Sequence, residues 1–215
     1  MIPPLDSNLL IKLKNYDKLI TLNSQMTAEE SQHLCYITSL LPKQSTLVEL
    51  GSRFGSSSAF LVSAMREFSI EGNLHCVDLW ETGDQTKTYS SEYPVPAFTR
   101  GMGYHASYAH KKFIEQTESV GVRDRITEHK MSTDAFAETW TDPIDYMFID
   151  ADHLYDAVHK DWNNLNGFVK SGGFVSFHDY GCQFPGVLVV VDEEIDYTKW
   201  ERFGVTRHLA TVRKL

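Results

Sequence analysis

A glycine-rich turn between a short apolar run and a helical pattern restricts the fold of this sequence more than any other feature. Residues 47–50 predict a buried strand, Gly51 and Gly55 interrupt the pattern, and residues 59–65 begin a helical pattern. In α/β proteins such a turn lets the backbone approach a ligand, and free N–H groups of the helix point toward it. The serines at 56–58 can cap the helix. The pattern predicts a ligand-binding turn, although a turn that only joins a strand to a helix has the same composition.

The spacing of the two glycines distinguishes between kinds of ligand. A dinucleotide fingerprint requires G-x-G-x-x-G, but Arg53 stands at the second glycine position, which counts against a nicotinamide-dependent enzyme. Glu49 precedes the turn, and a carboxylate there suits a ligand with an amino group or a positive charge. S-adenosylmethionine (SAM) carries both an ammonium and a sulfonium group. At this point the chain resembles the class I SAM-dependent methyltransferases, whose first motif ends a first strand in this way.

Strands alternate with helical patterns along the rest of the sequence, which favours a parallel sheet covered on both faces. The predicted strands are residues 47–50, 74–79, 123–130, 143–150, 174–177, 201–205 and 209–213. We predict an α/β, Rossmann-like, doubly wound and mostly parallel seven-stranded sheet with N-terminal helices; the resemblance adds an antiparallel last strand. At this length, residues 1–215 are expected to form a single methyltransferase domain. The helical segment 1–42 either packs against the sheet or acts as a lid.

The amino-acid composition restricts the kinds of partner that the protein is expected to bind. The net charge of −9 argues against contact with phosphate backbones, which usually requires a basic surface. The three cysteines, Cys35, Cys76 and Cys182, are far apart, which is typical of reduced thiols in a cytoplasmic protein. No signal peptide or membrane-spanning apolar run is evident. We therefore expect a cytoplasmic protein with a small-molecule or sugar partner, no nucleic acid and no membrane; the oligomeric state stays open.

Two segments beyond the turn extend the predicted SAM site. Asp78 ends the second strand, where a carboxylate can accept both ribose hydroxyl groups; an ordinary strand-end aspartate is the alternative. The resemblance places the loop with Met131 and Ser132 against adenine, although Ser132 can equally be a helix cap. The predicted cofactor-binding residues are Glu49, Gly51, Phe54, Gly55, Ser56, Ser57, Asp78, Leu79, Met131, Ser132 and Asp150.

Acidic residues end several of the predicted strands. Because ligands bind outside the carboxyl ends of parallel strands, Asp150 and the pair His178-Asp179 are expected within reach of one another. Two acids and a histidine indicate a divalent cation, although each acid could be structural. Oxygen ligands suit Mg²⁺, and an imidazole would also allow Mn²⁺, Fe²⁺ or Zn²⁺. The predicted metal ligands are Asp150, His178 and Asp179, with Mg²⁺ as the first choice.

Two longer segments sharpen the resemblance. Residues 148–155, F-I-D-A-D-H-x-Y, and residues 172–180, G-G-F-V-S-F-H-D-Y, resemble the glycan and macrolide-sugar branch of the O-methyltransferases. In metal-dependent members the acid after the fourth strand, here Asp150, binds Mg²⁺, and a pair of acids after the fifth strand completes the site. In this sequence the pair is His178-Asp179, so a histidine stands in place of one of the two acids. The resemblance also implies a general base three residues after the first ligand, which is His153.

These features predict a SAM-dependent O-methyltransferase that acts on a hydroxyl of a sugar or another small molecule, with metal assistance. Asp150 and His153 are the predicted catalytic residues. A neutral imidazole would accept the hydroxyl proton, and a cation would favour the alkoxide. A SAM-binding module of the same fold without catalysis is the first alternative, because of the departure at His178. A nicotinamide-dependent enzyme is the second. The loop 80–102 is interpreted as part of the acceptor-binding wall.

Overall fold

The computed structural model of the protein describes residues 12–80 and 106–215. Residues 81–102 of the loop assigned to the acceptor-binding wall therefore lie outside the described residues. No helix within 12–80 and 106–215 is both long and apolar enough to cross a bilayer.

Seven strands form one sheet. They are β1 (Leu47–Leu50), β2 (Leu74–Asp78), β3 (Ile126–Lys130), β4 (Ile144–Ile149), β5 (Val169–Phe177), β6 (Trp200–Thr206) and β7 (Leu209–Lys214). Their order is β3-β2-β1-β4-β5-β7-β6. Strands β1 to β5 pair in parallel, and β7 is antiparallel to both β5 and β6. The predicted sheet with its antiparallel last strand is confirmed. The strand order reverses beside β1, which is where open α/β sheets bind ligands.

Helices cover both faces of the sheet. They are α1 (Tyr16–Leu19), α2 (Ala28–Ser39), α3 (Ser56–Glu67), α4 (Ala106–Ser119), α5 (Thr133–Thr139), α6 (Tyr155–Leu165) and α7 (Pro185–Val189). One core cluster contains Leu34 of α2 and Leu61 of α3, and the other contains Phe136 of α5 and Trp162 of α6. Successive strand residues alternate between the two clusters, as the two-residue period of a strand requires.

Helix α2 begins with a capping box and packs on α3. The Thr27 hydroxyl accepts a hydrogen bond from the Glu30 N–H at 3.2 Å, and the Glu30 carboxylate accepts one from the Thr27 N–H at 2.8 Å. Leu34 and Ile37 are fully buried, so the described part of this segment packs in the core. A lid formed by residues 1–42 stays a prediction, and residues 1–11 lie outside the described part of the chain.

A chain of buried polar side chains fixes α2 to the sheet. The His33 ring lies 2.8 Å from the Thr206 hydroxyl and 2.9 Å from the Thr211 hydroxyl. The Thr211 hydroxyl is hydrogen-bonded to the Ser176 hydroxyl at 2.7 Å. The Tyr146 hydroxyl donates a hydrogen bond to the same Ser176 oxygen at 2.9 Å. Burial lowers the pKa of His33 to about 4, against a smaller opposing effect of the nearby carboxylate on α2. The ring is therefore neutral near pH 7, with one donor and one acceptor to match the two hydroxyls.

The turn after β1 packs directly on the chain that leaves β4. Gly51 has a φ of +88°, and a Cβ at this position would lie 2.2 Å from the carbonyl oxygen of Asp150. Only glycine allows this approach, so the predicted ligand turn and the predicted acidic site share one backbone contact.

The substitution Gly51→Ala should destabilise the protein severely, because it adds this contact to the strain of a left-handed backbone. Gly121→Ala is the matched control, since Gly121 has a φ of +72° but nothing within 4 Å of its Cβ. Left-handed strain alone costs about 1–2 kcal/mol. Urea unfolding should show that Gly121→Ala lowers the free energy of unfolding by this amount and that Gly51→Ala lowers it clearly more. Equal losses would contradict the importance of the contact.

Candidate active site

The carboxyl ends of the central strands meet at one edge of the sheet. Leu50 pairs with Val77 on one side and with Ile149 on the other, and Ile149 pairs with Phe177. The residues that follow these four therefore leave the sheet together. They include Gly51, Asp78, Asp150, His178 and Asp179.

The β1–α3 turn presents an uncapped helix end to this edge. Gly55, with a φ of +80°, is the N-cap of α3, and no side chain among the described residues caps the helix. The expected serine cap is wrong, because the Ser58 hydroxyl bonds to Glu49 and the Ser56 hydroxyl bonds to Ser24. The first-turn N–H groups and the positive end of the helix dipole thus suit a carboxylate, such as the one that SAM carries. Phe54 is buried beside the turn, and its carbonyl accepts from Gln116 at 2.6 Å.

Glu49 lies beneath the turn and not at its surface. Its neighbours in β1, Val48 and Leu50, face the α5–α6 side, so Glu49 faces α3 and is fully buried. One carboxylate oxygen bonds to Ser58 and lies 3.3 Å from the Cys76 sulfur. Burial raises its pKa, although the surrounding hydroxyls lower it in part. Its Oε1 is buried as well and has no hydrogen-bond partner in the described part of the chain.

Asp78 links the end of β2 to the same turn. Its carboxylate accepts hydrogen bonds from the Arg53 N–H at 2.8 Å and the Trp80 N–H at 2.9 Å. Burial raises the pKa of Asp78, and these backbone donors lower it in part. Each oxygen retains a lone pair for a ribose hydroxyl, and the side chain of Leu79 beside it is exposed. The structure thus shows a structural role for Asp78, and the ribose role stays a prediction.

The loop after β3 lies next to Asp78. Asp78 pairs with Lys130, so Met131 leaves the sheet beside it. The Ser132 hydroxyl accepts from the Ala135 N–H at 3.1 Å and caps α5, as the structural alternative predicted. Met131 is half-buried against the core. Contact of either residue with adenine stays a prediction.

His178 lies among three carboxylates. Its Nδ1 is 3.1 Å from Oδ1 of Asp150 and 3.4 Å from Oδ2 of Asp179, and its Nε2 is 3.7 Å from Oε2 of Glu30. Burial alone would lower the pKa of His178, but the three carboxylates outweigh burial and raise the pKa to about 12. Conversely, His178 and His153 together outweigh burial at Asp179 and lower the pKa of that acid to about 2. The imidazole is thus a buried cation in this arrangement.

Sequence reasoning missed Glu30 as a site residue. In the sequence, its position three residues after Thr27 indicates only a capping box. The carboxylate also accepts the His208 N–H at 2.9 Å and faces His178. The capping box fixes the direction of the side chain, but nothing in the sequence indicates that Glu30 lies near His178. Only the packing of α2 in the folded protein brings its first turn beside the end of β5.

His153 forms a pair with Asp179. Its Nε2 lies 3.2 Å from Oδ2 of Asp179, and its ring is half-buried with its centre 4.5 Å from that of Phe184. A carboxylate beside Nε2 favours the tautomer that carries its proton there, which leaves a lone pair on Nδ1. The neighbouring Asp152 accepts the Leu154 N–H at 3.1 Å and so shapes the start of α6.

The predicted metal ligands do not fit a divalent cation in this arrangement. Asp150, His153 and Asp179 offer ligand atoms within 4.8 Å of one another, and His178 is not in that group. One oxygen of Asp150 and one of Asp179 face the Nδ1 of His178. A protonated Nδ1 would have to lose its proton before it could bind a metal ion. Mg²⁺ stays a prediction from the resemblance.

Comparison with known families agrees with the site. The sheet order and the glycine turn define a class I SAM-dependent methyltransferase fold. The profile of a family described as a methyltransferase domain matches residues 48–180, from β1 to just beyond Asp179. This match spans more than half of the sequence, and the chain belongs to that family. No curated protein matches the sequence.

Solved structures share the fold at low sequence identity. The O-methyltransferase NovP has a TM-score of 0.65 at 15% identity, over 89% of this chain and 81% of that one. The O-methyltransferase TomG from Streptomyces achromogenes, involved in tomaymycin synthesis and solved with SAM, has 0.62 at 13% identity, over 98% and 90%. An rRNA methylase from Streptococcus thermophilus has 0.59 at 12% identity, over 89% and 99%. At these identities the likeness shows the fold alone.

The carboxylate of Glu30 should stabilise the protein in a pH-dependent manner. Burial raises the pKa of Glu30, but its bonds to His178 and to backbone N–H groups lower it overall, from 4.5 to about 2. The stabilisation is therefore complete above pH 4.5 and is lost as the pH falls toward 2. Glu30→Gln should lower the free energy of unfolding by about 2–3 kcal/mol at pH 7. The difference in this free energy between the variant and the native protein should be smaller at pH 3.

Glu29→Gln is the matched control for this measurement. Glu29 lies beside Glu30 in the first turn of α2, but it is exposed and pairs with Arg207 at the surface. Urea unfolding at both pH values should show a smaller effect for this variant, since exposed ion pairs contribute little. A Glu30→Gln loss that does not change with pH would contradict the ionic role.

Proposed function

We propose that this methyltransferase transfers the methyl group of SAM to a hydroxyl oxygen of a sugar or another small molecule. The observation that carries this proposal is the His153–Asp179 pair, at 3.2 Å, on the sheet edge that holds the glycine turn. A base held by a carboxylate is what deprotonation of a hydroxyl requires. The named O-methyltransferases of the same fold support this chemistry.

The residues at the turn suit SAM on their donor chemistry. The uncapped start of α3 would meet the carboxylate of SAM. Glu49 is fully buried beneath the turn and would support it from below through its bond to Ser58. Asp78 would hold the ribose hydroxyls, and Met131 with Ser132 would border the adenine. When bound, SAM supplies an electrophilic methyl group on a sulfonium centre.

His153 acts as the general base in this proposal. Its Nδ1 accepts the proton of the acceptor hydroxyl as that oxygen bonds to the methyl carbon and the carbon–sulfur bond breaks. Asp179, at Nε2, holds the ring in place and stabilises the imidazolium that forms. Asp150, also predicted as catalytic, contacts His178 at 3.1 Å and acts through it on the charge of the site. The protein mainly aligns the reactants and keeps their charges in place.

A small acceptor agrees better with this surface than a nucleic acid does. The net charge is −9, whereas binding to phosphate backbones requires a cationic surface. The rRNA methylase of the same fold does not alter this conclusion, because the likeness concerns the fold alone. Among small acceptors, the resemblance of residues 148–155 and 172–180 to sugar O-methyltransferases favours a sugar hydroxyl.

Asp78→Asn should weaken binding of SAM and S-adenosylhomocysteine. The variant removes the charge that accepts the ribose hydroxyls, and hydrogen bonds to charged groups contribute about 1.5–3 kcal/mol, or roughly 10- to 150-fold in affinity. Isothermal titration calorimetry measures the effect, with Asp17→Asn in the exposed surface of α1 as control. Unchanged affinity would contradict the ribose role, and saturable NAD binding would favour a nicotinamide enzyme.

His153→Gln should lower the rate of methyl transfer by about 10²–10⁴-fold, the usual contribution of a general base. Binding of S-adenosylhomocysteine should not change. The control is His159→Gln, because His159 lies one turn further along α6 and pairs with Glu194 away from the strand ends. Transfer of radiolabelled methyl to a panel of sugars and catechols provides the assay. Binding of SAM without turnover on any acceptor would favour a non-catalytic SAM-binding module.

A further inference from the structure

We propose that the buried imidazole of His178 is the positive group of this site, in place of the divalent cation that the acidic strand ends predict. Methyl transfer by this protein then needs no metal ion. The reaction itself rests on the proposed function, whereas the identity of the cation rests on the geometry around His178 alone.

The imidazole lies beside two carboxylates that are candidate ligands of a cation. Its Nδ1 faces Oδ1 of Asp150 at 3.1 Å and Oδ2 of Asp179 at 3.4 Å. These two carboxylates come from the ends of adjacent strands, β4 and β5, and would be the oxygen ligands of a metal ion. A positive charge on the ring would offset the charges of these two neighbouring carboxylates.

A third carboxylate faces the opposite side of the ring. Oε2 of Glu30 lies 3.7 Å from Nε2, which is buried and has no closer hydrogen-bond partner in the described part of the chain. A neutral ring would direct a lone pair at a carboxylate on one of its two sides. Carboxylates on both sides therefore favour the ring that carries both protons. Phe148 closes the space edge-on, with ring centres 6.3 Å apart.

A metal ion here would also conflict with the role of His153. The three atoms that could hold an ion belong to Asp150, His153 and Asp179. If His153 bound the ion, it would use a lone pair and its basicity would fall, because a neighbouring cation disfavours a second positive charge. With His178 as the cation, Asp179 stays available to stabilise the proton that His153 accepts. The base and the cation are thus two separate histidines.

Binding of Mn²⁺ tests the proposal directly. The chelator-treated native protein should show no saturable Mn²⁺ binding by electron paramagnetic resonance, and its melting temperature should not change with Mn²⁺ or Mg²⁺. His178→Glu removes the internal cation and adds a carboxylate, so this variant should bind Mn²⁺ at least tenfold more tightly than the native protein. Its melting temperature should rise on addition of the ion, since a ligand that binds only the folded state stabilises it. His159→Glu adds the same charge away from the cluster and should behave as the native protein.

Saturable Mn²⁺ binding by the native protein would overturn the proposal, as would a His178→Glu variant that folds but gains no affinity. If His178→Glu fails to fold even with Mn²⁺, the native titration alone decides. Loss of methyl transfer by the native protein in EDTA, restored by Mg²⁺, would also overturn it. Absence of transfer to any acceptor would instead refute the proposed function and leave the metal-binding result unaffected.

Discussion

The site depends on backbone hydrogen bonds that join the last residues of neighbouring strands. The chain leaving β1, β4 and β5 donates one more N–H to a carbonyl at or next to the end of the strand beside it, so the side chains that follow are held in a fixed register. These bonds run from Gly51 to Val77 at 2.8 Å, from Asp150 to Leu50 at 2.8 Å and from His178 to Ile149 at 3.0 Å. Because Gly51 also lies against the Asp150 carbonyl, the predicted cofactor turn and the acidic cluster cannot move independently.

Parallel topology explains why much of this edge could be predicted from the sequence. Strands that alternate with helices must all end on the same side of the sheet, so acids at positions 78, 150 and 179 had to converge. The direction of Glu49 follows from similar reasoning, although it was predicted as a cofactor contact at the edge. It alternates with Val48 and Leu50 in a strand that is covered on both faces, and its side chain therefore lies under α3.

The charge state of His178 could not be predicted in this way. It depends on Glu30, which is distant in sequence and meets the imidazole only because α2 packs on α3 above the end of β5. His33, one turn further along α2, shows how strongly the neighbouring side chains determine the pKa of a buried histidine. Both rings are buried, but His33 faces hydroxyls and has a pKa of about 4, whereas His178 faces carboxylates and has a pKa of about 12. A histidine motif alone does not distinguish a neutral ring from a cation.

An internal cation connects the site to the packing of the N-terminal helix. A metal ion binds its ligands from solution, but an imidazolium buried among acids is stable only while all of its counter-charges are in place, since an unpaired buried charge costs several kcal/mol. Glu30 is one of those counter-charges, and the capping box and the neutral His33 chain hold the helix that carries it. Separation of α2 from the sheet would leave the Nε2 side of His178 without its carboxylate and would change the charge beside His153. The position of α2 therefore contributes to the electrostatics of the base, through the contacts that join Glu30 to His178, His178 to Asp179 and Asp179 to His153.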